Sequence, residues 1–197
     1  MRELQDSQHA TRDRLMLDFT VQGYNENFFK TTTGTPAASG GKLRLTSAGV
    51  ASYSNFTYGD YTFALNIPTT PSAGEAKTIG LRNPASNRGA LYFEITGATF
   101  QAVSLDDNGV SETTAITWNS RSQTWENVVT LFRMVWTPQY VDFFVTPASA
   151  IAAMEPRYVR HATRVGTIPQ SLRVLNSDAD NVDIDYILAH KVGIQHT

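Results

Sequence analysis

The sequence predicts an all-β protein in which two antiparallel sheets pack face to face as a sandwich. Short runs of alternating apolar and polar residues are separated by turns rich in Gly, Pro, Asn and Ser. These runs recur about every 8–15 residues, which is the spacing of antiparallel sandwiches. The amphipathic helices that parallel βαβ units require are missing from the pattern.

Residues 132–145 form the most informative segment, because two alternating strands flank a turn that contains Pro138. Phe132, Met134 and Trp136 share one face of the first strand, since side chains two apart point the same way. The second strand is also rich in aromatic residues. We therefore expect a β-hairpin with a buried aromatic side and with Trp136 in the core.

Other strands follow from the same alternation. The clearest runs from Tyr61 to Ile67, with aromatic and aliphatic residues at every second position. The stretch 106–109 has hairpin-turn composition, 149–154 is Ala-rich and predicts a short helix, and 31–41 predicts a loop. Further strands are expected at 15–21, 42–46, 50–57, 77–82, 90–96, 99–105, 112–118, 129–137, 140–146, 171–176 and 182–192.

Composition favours one domain and excludes several kinds of site. The chain has 197 residues, 41% of them hydrophobic, which suits one sandwich with its own core. It has no cysteine, so disulfides, thiolate zinc sites and cysteine nucleophiles are excluded. A formal net charge of -2 gives no bias towards nucleic acid or an anionic membrane. We expect neither as a partner.

The first residues are polar and charged. They contain no apolar segment typical of a secretory signal, and no later run approaches the ~18 apolar residues of a membrane span. We divide the chain into an arm, 1–14, and a sandwich domain, 15–197. The arm has too little apolar surface to offset the cost of ordering it, so we expect it to dock on a neighbouring protein. Its candidate assembly contacts are Arg2, Leu4, Arg12 and Arg14.

Four segments, in order along the chain, resemble the concanavalin A-like lectin and glucanase superfamily. The hairpin at 132–145 has the aromatic residue, Trp-Thr-Pro turn and aromatic second strand of that superfamily. The segments 41–45 and 56–65 are similar to its early Gly-x-Leu-x-Leu strand and its aromatic-x-Tyr-Gly strand, and 182–188 is similar to its closing strand. The resemblance implies a jelly roll of two curved sheets, with a concave face available as a glycan groove.

Laminarinase-type members of this superfamily carry a Glu-x-Asp-x-(x)-Glu strand, whose alternate carboxylates point into the groove. Retaining hydrolysis needs two carboxyl groups about 5 Å apart. The nearest segment here, 91–97, has Glu94 but Thr96 at the next alternate position. Asp183 and Asp185 alternate too, but they lie in the segment similar to the closing strand. We expect these carboxylates to be ordinary solvent-facing charges and the protein not to be an enzyme.

The densest acidic stretch is 178–185, from which Asp178, Asp180 and Asp183 are candidate metal ligands. Hard cations bind several carboxylate oxygens from such a loop, and calcium is common among lectins of this fold. The stretch lacks the glycine and final glutamate of an EF-hand, and its composition also suits a β-turn. Either a bound calcium ion or a bare turn is expected here; no other cofactor is predicted.

Aromatic side chains offer a candidate glycan site at Trp125, Tyr58 and Tyr61, because a flat apolar face with a polar tip suits a sugar ring. Trp125 lies in the polar stretch 119–127, where an exposed tryptophan needs a partner or ligand. The four histidines are scattered, which disfavours a zinc site or a Ser-His-Asp relay.

Three functions fit these observations. The first is a non-catalytic structural or attachment module, such as a capsid decoration or tail component of a phage. Its partners would be copies of itself or virion neighbours, and it would be made in the host cytoplasm without a secretory signal and located in the virion. The alternatives are a glycan-binding lectin and a divergent glycoside hydrolase.

Overall fold

The computed structural model describes residues 14–19, 28–67, 72–97, 99–116, 129–147 and 157–191. Among these residues no helix has the length and apolar character needed to cross a bilayer. The strands, in chain order, are β1 (Arg14–Asp18), β2 (Phe29–Thr33), β3 (Ala37–Ser39), β4 (Lys42–Leu45), β5 (Gly49–Phe56), β6 (Gly59–Asn66), β7 (Ala76–Leu81), β8 (Leu91–Thr96), β9 (Phe100–Leu105), β10 (Ser111–Ala115), β11 (Val129–Trp136), β12 (Val141–Pro147), β13 (Arg157–His161), β14 (Gln170–Asn176) and β15 (Val182–Lys191).

These strands form two antiparallel sheets, which confirms the predicted sandwich. Sheet A has the order β13-β12-β11-β6-β15-β4-β3, with β1 also paired to β15. Sheet B has the order β10-β9-β8-β7-β14-β5-β2. Each sheet alternates between side chains that point into the sandwich and side chains on an outer face.

Aromatic rings from both sheets meet in the core. The Phe93 ring of sheet B lies 5.3 Å from the Phe132 ring and 5.2 Å from the Phe143 ring, both of sheet A. Edge-to-face contacts of this kind add to the free energy of burial. Trp136 is 0% exposed, and its indole nitrogen donates a hydrogen bond to the Gly166 carbonyl oxygen at 3.2 Å. The predicted burial of Trp136 is confirmed.

The two predicted turns are present. Strands β11 and β12 pair from Trp136↔Val141 onwards, and the Thr137 hydroxyl closes their turn by donating to the Tyr140 carbonyl oxygen at 2.9 Å. At 106–109 the Asp106 carboxylate accepts hydrogen bonds from the Asn108 and Val110 amides, 2.9 Å each. This caps the turn between β9 and β10.

Some elements differ from the prediction. The stretch 31–41, predicted as a loop, contains the end of β2 and all of β3. Gly34 and Gly40 have positive φ angles and turn the chain beside β3, so the turn signals masked a short edge strand. Strand β13 was not predicted because arginines and a histidine interrupt its apolar alternation. The predicted helix at 149–154 lies outside the described residues.

A buried hydrogen-bond cluster joins the two sheets at one end. His161 of sheet A is 0% exposed, with Nδ1 2.8 Å from the Ser104 hydroxyl and Nε2 3.0 Å from the Thr114 hydroxyl, both of sheet B. Burial lowers the pKa of His161, and the charge of Glu112 opposes this shift. Because His161 and Ser104 are fully buried, the cluster is a structural bridge between the sheets.

We expect Trp136→Ala to lower the free energy of unfolding by about 3–5 kcal/mol, because it removes a fully buried indole and leaves a cavity. The matched control is Tyr53→Ala, since Tyr53 is 61% exposed, and it should cost less than about 0.5 kcal/mol. Urea unfolding of both variants measures this. A loss below about 1 kcal/mol for Trp136→Ala contradicts the assigned hairpin phase.

A second prediction concerns pH. The folded pKa of His161 lies below its ordinary value of 6.5, so below that pH the unfolded chain binds a proton that the folded chain does not. Buried, neutral His161 therefore makes its full contribution to the free energy of unfolding above pH 6.5. As the pH falls below 6.5, that free energy decreases by at most about 1.4 kcal/mol per pH unit. Urea unfolding at several pH values between 7.5 and 5 should show a smaller slope for His161→Gln than for the native chain. Equal slopes contradict the prediction.

Candidate functional site

The outer face of sheet A carries charges that are already paired. Arg44 and Arg133 each hold an aspartate through two nitrogens, at 2.7 and 2.9 Å to Asp183 and at 2.8 and 2.5 Å to Asp60. Such two-point pairs satisfy both partners and leave little charge for a ligand. The cross-strand ion pairs of this face are Lys42–Asp185, Arg44–Asp183, Arg133–Asp60 and Arg160–Asp142.

A pocket of about 260 Å³ opens on the same face between β6 and β15. Its lining includes Asp60, Thr62, Leu188 and His190. The Asp60 carboxylate is bound on both oxygens by Arg133. The pocket therefore offers a partly apolar surface, and the carboxylate of Asp60 in its lining is already paired with Arg133.

The outer face of sheet B is arranged differently. The register places one residue from each of five neighbouring strands in a line, which we call the Tyr92 row: Ala51, Arg173, Gly80, Tyr92 and Val103. The next line, two residues along each strand, is the Glu94 row: Gly49, Leu175, Thr78, Glu94 and Gln101. Both rows point outwards, because the residues between them on β7 and β8, Ile79 and Phe93, are in the core.

Tyr92 is the aromatic centre of this face. It is 9% exposed, and the Arg82 guanidinium lies 5.1 Å from its ring centroid. Arg82 also donates a hydrogen bond to the Asn87 side-chain oxygen at 2.7 Å. Burial raises the pKa of Tyr92 and Glu94 adds to the rise, against the opposing charge of Arg82. The phenol therefore keeps its proton at neutral pH and is available as a hydrogen-bond donor.

Arg173 is the second cation of the face. Its strand neighbours are Ala51 and Gly80, small residues that leave room for a guanidinium. A Cβ on Gly80 would lie 2.4 Å from the Leu91 carbonyl oxygen, so this position takes no side chain. The Arg173 Nε is buried and has no hydrogen-bond partner. A buried donor without a partner is costly.

Glu94 and Gln101 supply hydrogen-bonding groups in the next row. The Gln101 amide donates to Glu94 Oε2 at 2.6 Å, which orients the carboxylate. The neighbouring Thr78 hydroxyl is buried and lacks a partner. Among outward residues of the described strands of sheet B, Glu94 is the one carboxylate. The two-carboxyl mechanism of glycoside hydrolysis would require a second acid from elsewhere in the chain.

The aromatic residues predicted from the sequence to bind glycan lie elsewhere. Tyr61 is 2% exposed and its hydroxyl donates to the Thr57 carbonyl oxygen, so it is a core residue with no face for a sugar. This corrects its assignment. Tyr58 is partly buried, with its ring 5.1 Å from that of Trp136. Trp125 lies outside the described residues.

The three candidate metal ligands do not converge. Asp183 pairs with Arg44, while the Asp178 carboxylate accepts a hydrogen bond from the Ser72 amide at 2.7 Å and lies 3.8 Å from Lys77 Nζ. The Asp180 amide donates to Asp178 at 3.3 Å, as in a turn. Within the described ranges no group of three or more His, Asp or Glu could hold a metal ion. The calcium site stays a prediction.

Of the predicted assembly contacts, Arg2, Leu4 and Arg12 lie outside the described residues. Arg14 begins β1, where its backbone pairs with that of His190. The proposed boundary between arm and domain thus falls at the first described strand.

Sequence reasoning missed Arg82, Tyr92, Gln101 and Arg173. The alternation in 91–95 already placed Tyr92 on the face opposite Phe93, so Tyr92 could have been found. Nothing local in the sequence indicated that Arg173, from a strand far along the chain, would lie beside it.

Comparisons with known proteins place the fold. No protein-family model matches the chain, and no curated protein matches it. Several solved structures are similar to the chain in fold. The Bacillus licheniformis β-glucanase has a TM-score of 0.70 at 13% identity, covering 92% of this chain and 100% of that one. The Crh5 transglycosylase in complex with NAG has a TM-score of 0.67 at 12% identity, covering 92% and 85%.

A lectin-like structure is similar as well. The exoplasmic/lumenal domain of VIP36, in a form bound to Ca²⁺ and Man3GlcNAc, has a TM-score of 0.63 at 11% identity, covering 92% of this chain and 90% of that one. At these identities the likeness establishes the fold.

The comparisons correct the inference that the protein is not an enzyme. That inference was drawn from a missing carboxylate pattern, but the fold is shared with a β-glucanase and a transglycosylase. From its two sheets and these neighbours, the chain has the concanavalin A-like β-sandwich fold of glucanases and lectins.

Proposed function

We propose that the protein binds a saccharide on the outer face of sheet B, across the Tyr92 and Glu94 rows. The observation that carries the proposal is the arrangement at Tyr92, whose ring packs beside Val103 and under the Arg82 guanidinium, with Glu94 and Gln101 in the next row of the same face. Carbohydrate sites combine an apolar ring face with a few fixed hydrogen-bonding groups. The outer face of sheet A has its charges paired and supports this role less well.

The two rows offer complementary chemistry. Tyr92 provides its hydroxyl group and the small part of its ring that is exposed, while Glu94 and Gln101 provide an acceptor and a donor whose positions are fixed by their mutual hydrogen bond. Sugar hydroxyls both donate and accept, so a set of this kind can satisfy them with few rearrangements. The saccharide seen with VIP36 supports the proposal by analogy of fold.

A second candidate is cleavage or transfer of a glycosidic bond, favoured by the position of Glu94. Its carboxylate is partly exposed on the outer face, oriented by Gln101, and next to Tyr92 along the strand. A carboxyl group held in this way can act as a general acid or base towards a bound glycoside. This candidate draws support from the glucanase and transglycosylase that share the fold.

The structural role in a larger assembly gains no support from the comparisons. The docking of the arm, the homo-oligomer and the virion location stay predictions.

We expect Tyr92→Ala to weaken saccharide binding about 10-fold or more, because it removes the ring on which the sugar would pack. Calorimetric titration with cello-, laminari-, manno- and galacturono-oligosaccharides measures this. Tyr158→Ala is the matched control, since Tyr158 is 49% exposed on the outer face of sheet A and should leave binding unchanged.

Because Tyr92 is largely buried, melting temperatures of both variants must be compared, and Gln101→Ala serves as a milder second variant. Unchanged binding in Tyr92→Ala and Gln101→Ala, both folded, would place the saccharide elsewhere.

For the second candidate, we expect Glu94→Gln to abolish reducing-sugar release while keeping saccharide affinity within a few-fold. The amide keeps the shape of the side chain but cannot transfer the proton. Glu75→Gln, in the turn before β7, is the control and should keep full activity. If the native chain releases no reducing sugar from any glycan that it binds, the catalytic candidate fails and the binding proposal remains.

A further inference from the structure

We propose that the saccharide is anionic, and that its carboxylate or sulfate group is bound between Arg82 and Arg173. This inference rests on the proposed binding role of the outer face of sheet B. The two arginines would select the chemical class of saccharide that binds there.

The two arginines come from neighbouring strands. Arg173 is opposite Gly80 in the register of β14 and β7, and the Arg82 amide, just beyond β7, donates a hydrogen bond to the Ser171 carbonyl oxygen at 2.8 Å. The two side chains are therefore diagonal neighbours on one face, a separation that long side chains can span. Gly80 carries no side chain, and β7 and β8 pack closely at this point, so no side chain of β7 stands between Arg173 and Tyr92.

Neither guanidinium group is held by an oppositely charged side chain among the described residues. Arg82 contacts the Asn87 amide oxygen and the Tyr92 ring, and the Arg173 Nε has no hydrogen-bond partner. Among the described residues no carboxylate forms an ion pair with either arginine. This contrasts with the outer face of sheet A, where Arg44, Arg133 and Arg160 each hold an aspartate.

Two neighbouring cations, one of them with a buried nitrogen, are unfavourable without a counter-charge. Burial lowers the pKa of Arg173, and the positive charge of Arg82 lowers it further, as expected from the repulsion of two like charges on one face. An anion between them would remove this repulsion and satisfy the buried Nε. Planar arginine groups bind carboxylate and sulfate oxygens in pairs, which gives direction as well as charge.

The surroundings favour one acidic group on a sugar over a continuous polyanion. Glu94, two residues from Tyr92 on the same face, would repel a second negative group placed there. Its hydrogen bond with Gln101 instead suits neutral hydroxyl groups. A uronic acid or a sulfated sugar has this pattern of one anionic group on a ring with hydroxyls.

The test is a titration of the native chain, Arg82→Gln, Arg173→Gln and the control Arg44→Gln. The control removes the same charge from the outer face of sheet A. The probes are an oligogalacturonide, the same oligogalacturonide with methyl-esterified carboxyl groups, a sulfated galacto-oligosaccharide, a cello-oligosaccharide and a single-stranded oligonucleotide. Arg82→Lys and Arg173→Lys keep the charge, and thermal melting confirms that each variant is folded.

We expect the native chain to bind the oligogalacturonide or the sulfated probe, and whichever binds identifies the acidic group. Each Gln variant should weaken that binding at least about 10-fold, each Lys variant less, and the control by no more than about 2-fold. The methyl ester should bind at least about 10-fold more weakly than the free acid.

Other results overturn the inference in distinguishable ways. If the cello-oligosaccharide or the methyl ester binds as well as the acidic probes and the Gln variants keep full affinity, the ligand is a neutral glycan and the proposed function survives. Binding of no saccharide at all defeats both proposals. Tighter binding of the oligonucleotide through the same arginines would assign the face to nucleic acid.

Discussion

The contact of Phe93 with Phe132 and Phe143 is the interaction on which the rest of the structure depends. It joins the middle of sheet B to sheet A and fixes which side chains of β8 point inwards. Side chains alternate along a strand, so a shift of one residue would bury Glu94 and expose the phenylalanine. The free energy of burying these rings therefore holds Tyr92 and Glu94 on the outer face. The packing of the core therefore determines which residues form the candidate site.

The same alternation produces two outer faces with different chemistry. On sheet A each outward arginine of β4, β11 and β13 finds an aspartate on a neighbouring strand, so that face stabilises itself. On sheet B the partners of Arg82 are an amide and an aromatic ring, and one donor of Arg173 is unsatisfied. Proteins keep such costly arrangements where function needs them. The difference between the two faces in the pairing of their arginines is the main physical reason to place binding on sheet B.

Much of the fold could be predicted from the sequence because it depends on local alternation. The hairpin around Thr137, the turn capped by Asp106 and the burial of Trp136 all follow from patterns within a few residues. Strand β13 could not be predicted, since Arg160 points outwards to Asp142 and Tyr158, partners that the local sequence does not reveal. The sequence predicted two incompatible positions for Tyr61, the inward face of a half-buried strand and an exposed glycan site. The structure buries Tyr61 in the core and so confirms the first.

The site was harder to predict than the fold. Tyr92 and Glu94 belong to one strand, but Gln101 and Arg173 reach them only through strand pairing, which the sequence does not specify. Nothing in the local sequence around Arg82 or Arg173 indicates that the two residues are neighbours on one face.

The most direct test of the central claim is a map of backbone amide chemical shifts during titration with the saccharide that binds most tightly. The account predicts the largest shifts at Gly80, Tyr92, Glu94, Gln101 and Arg173, with small shifts on sheet A. The largest shifts at Asp60, Leu188 and His190, around the pocket on sheet A, would contradict it.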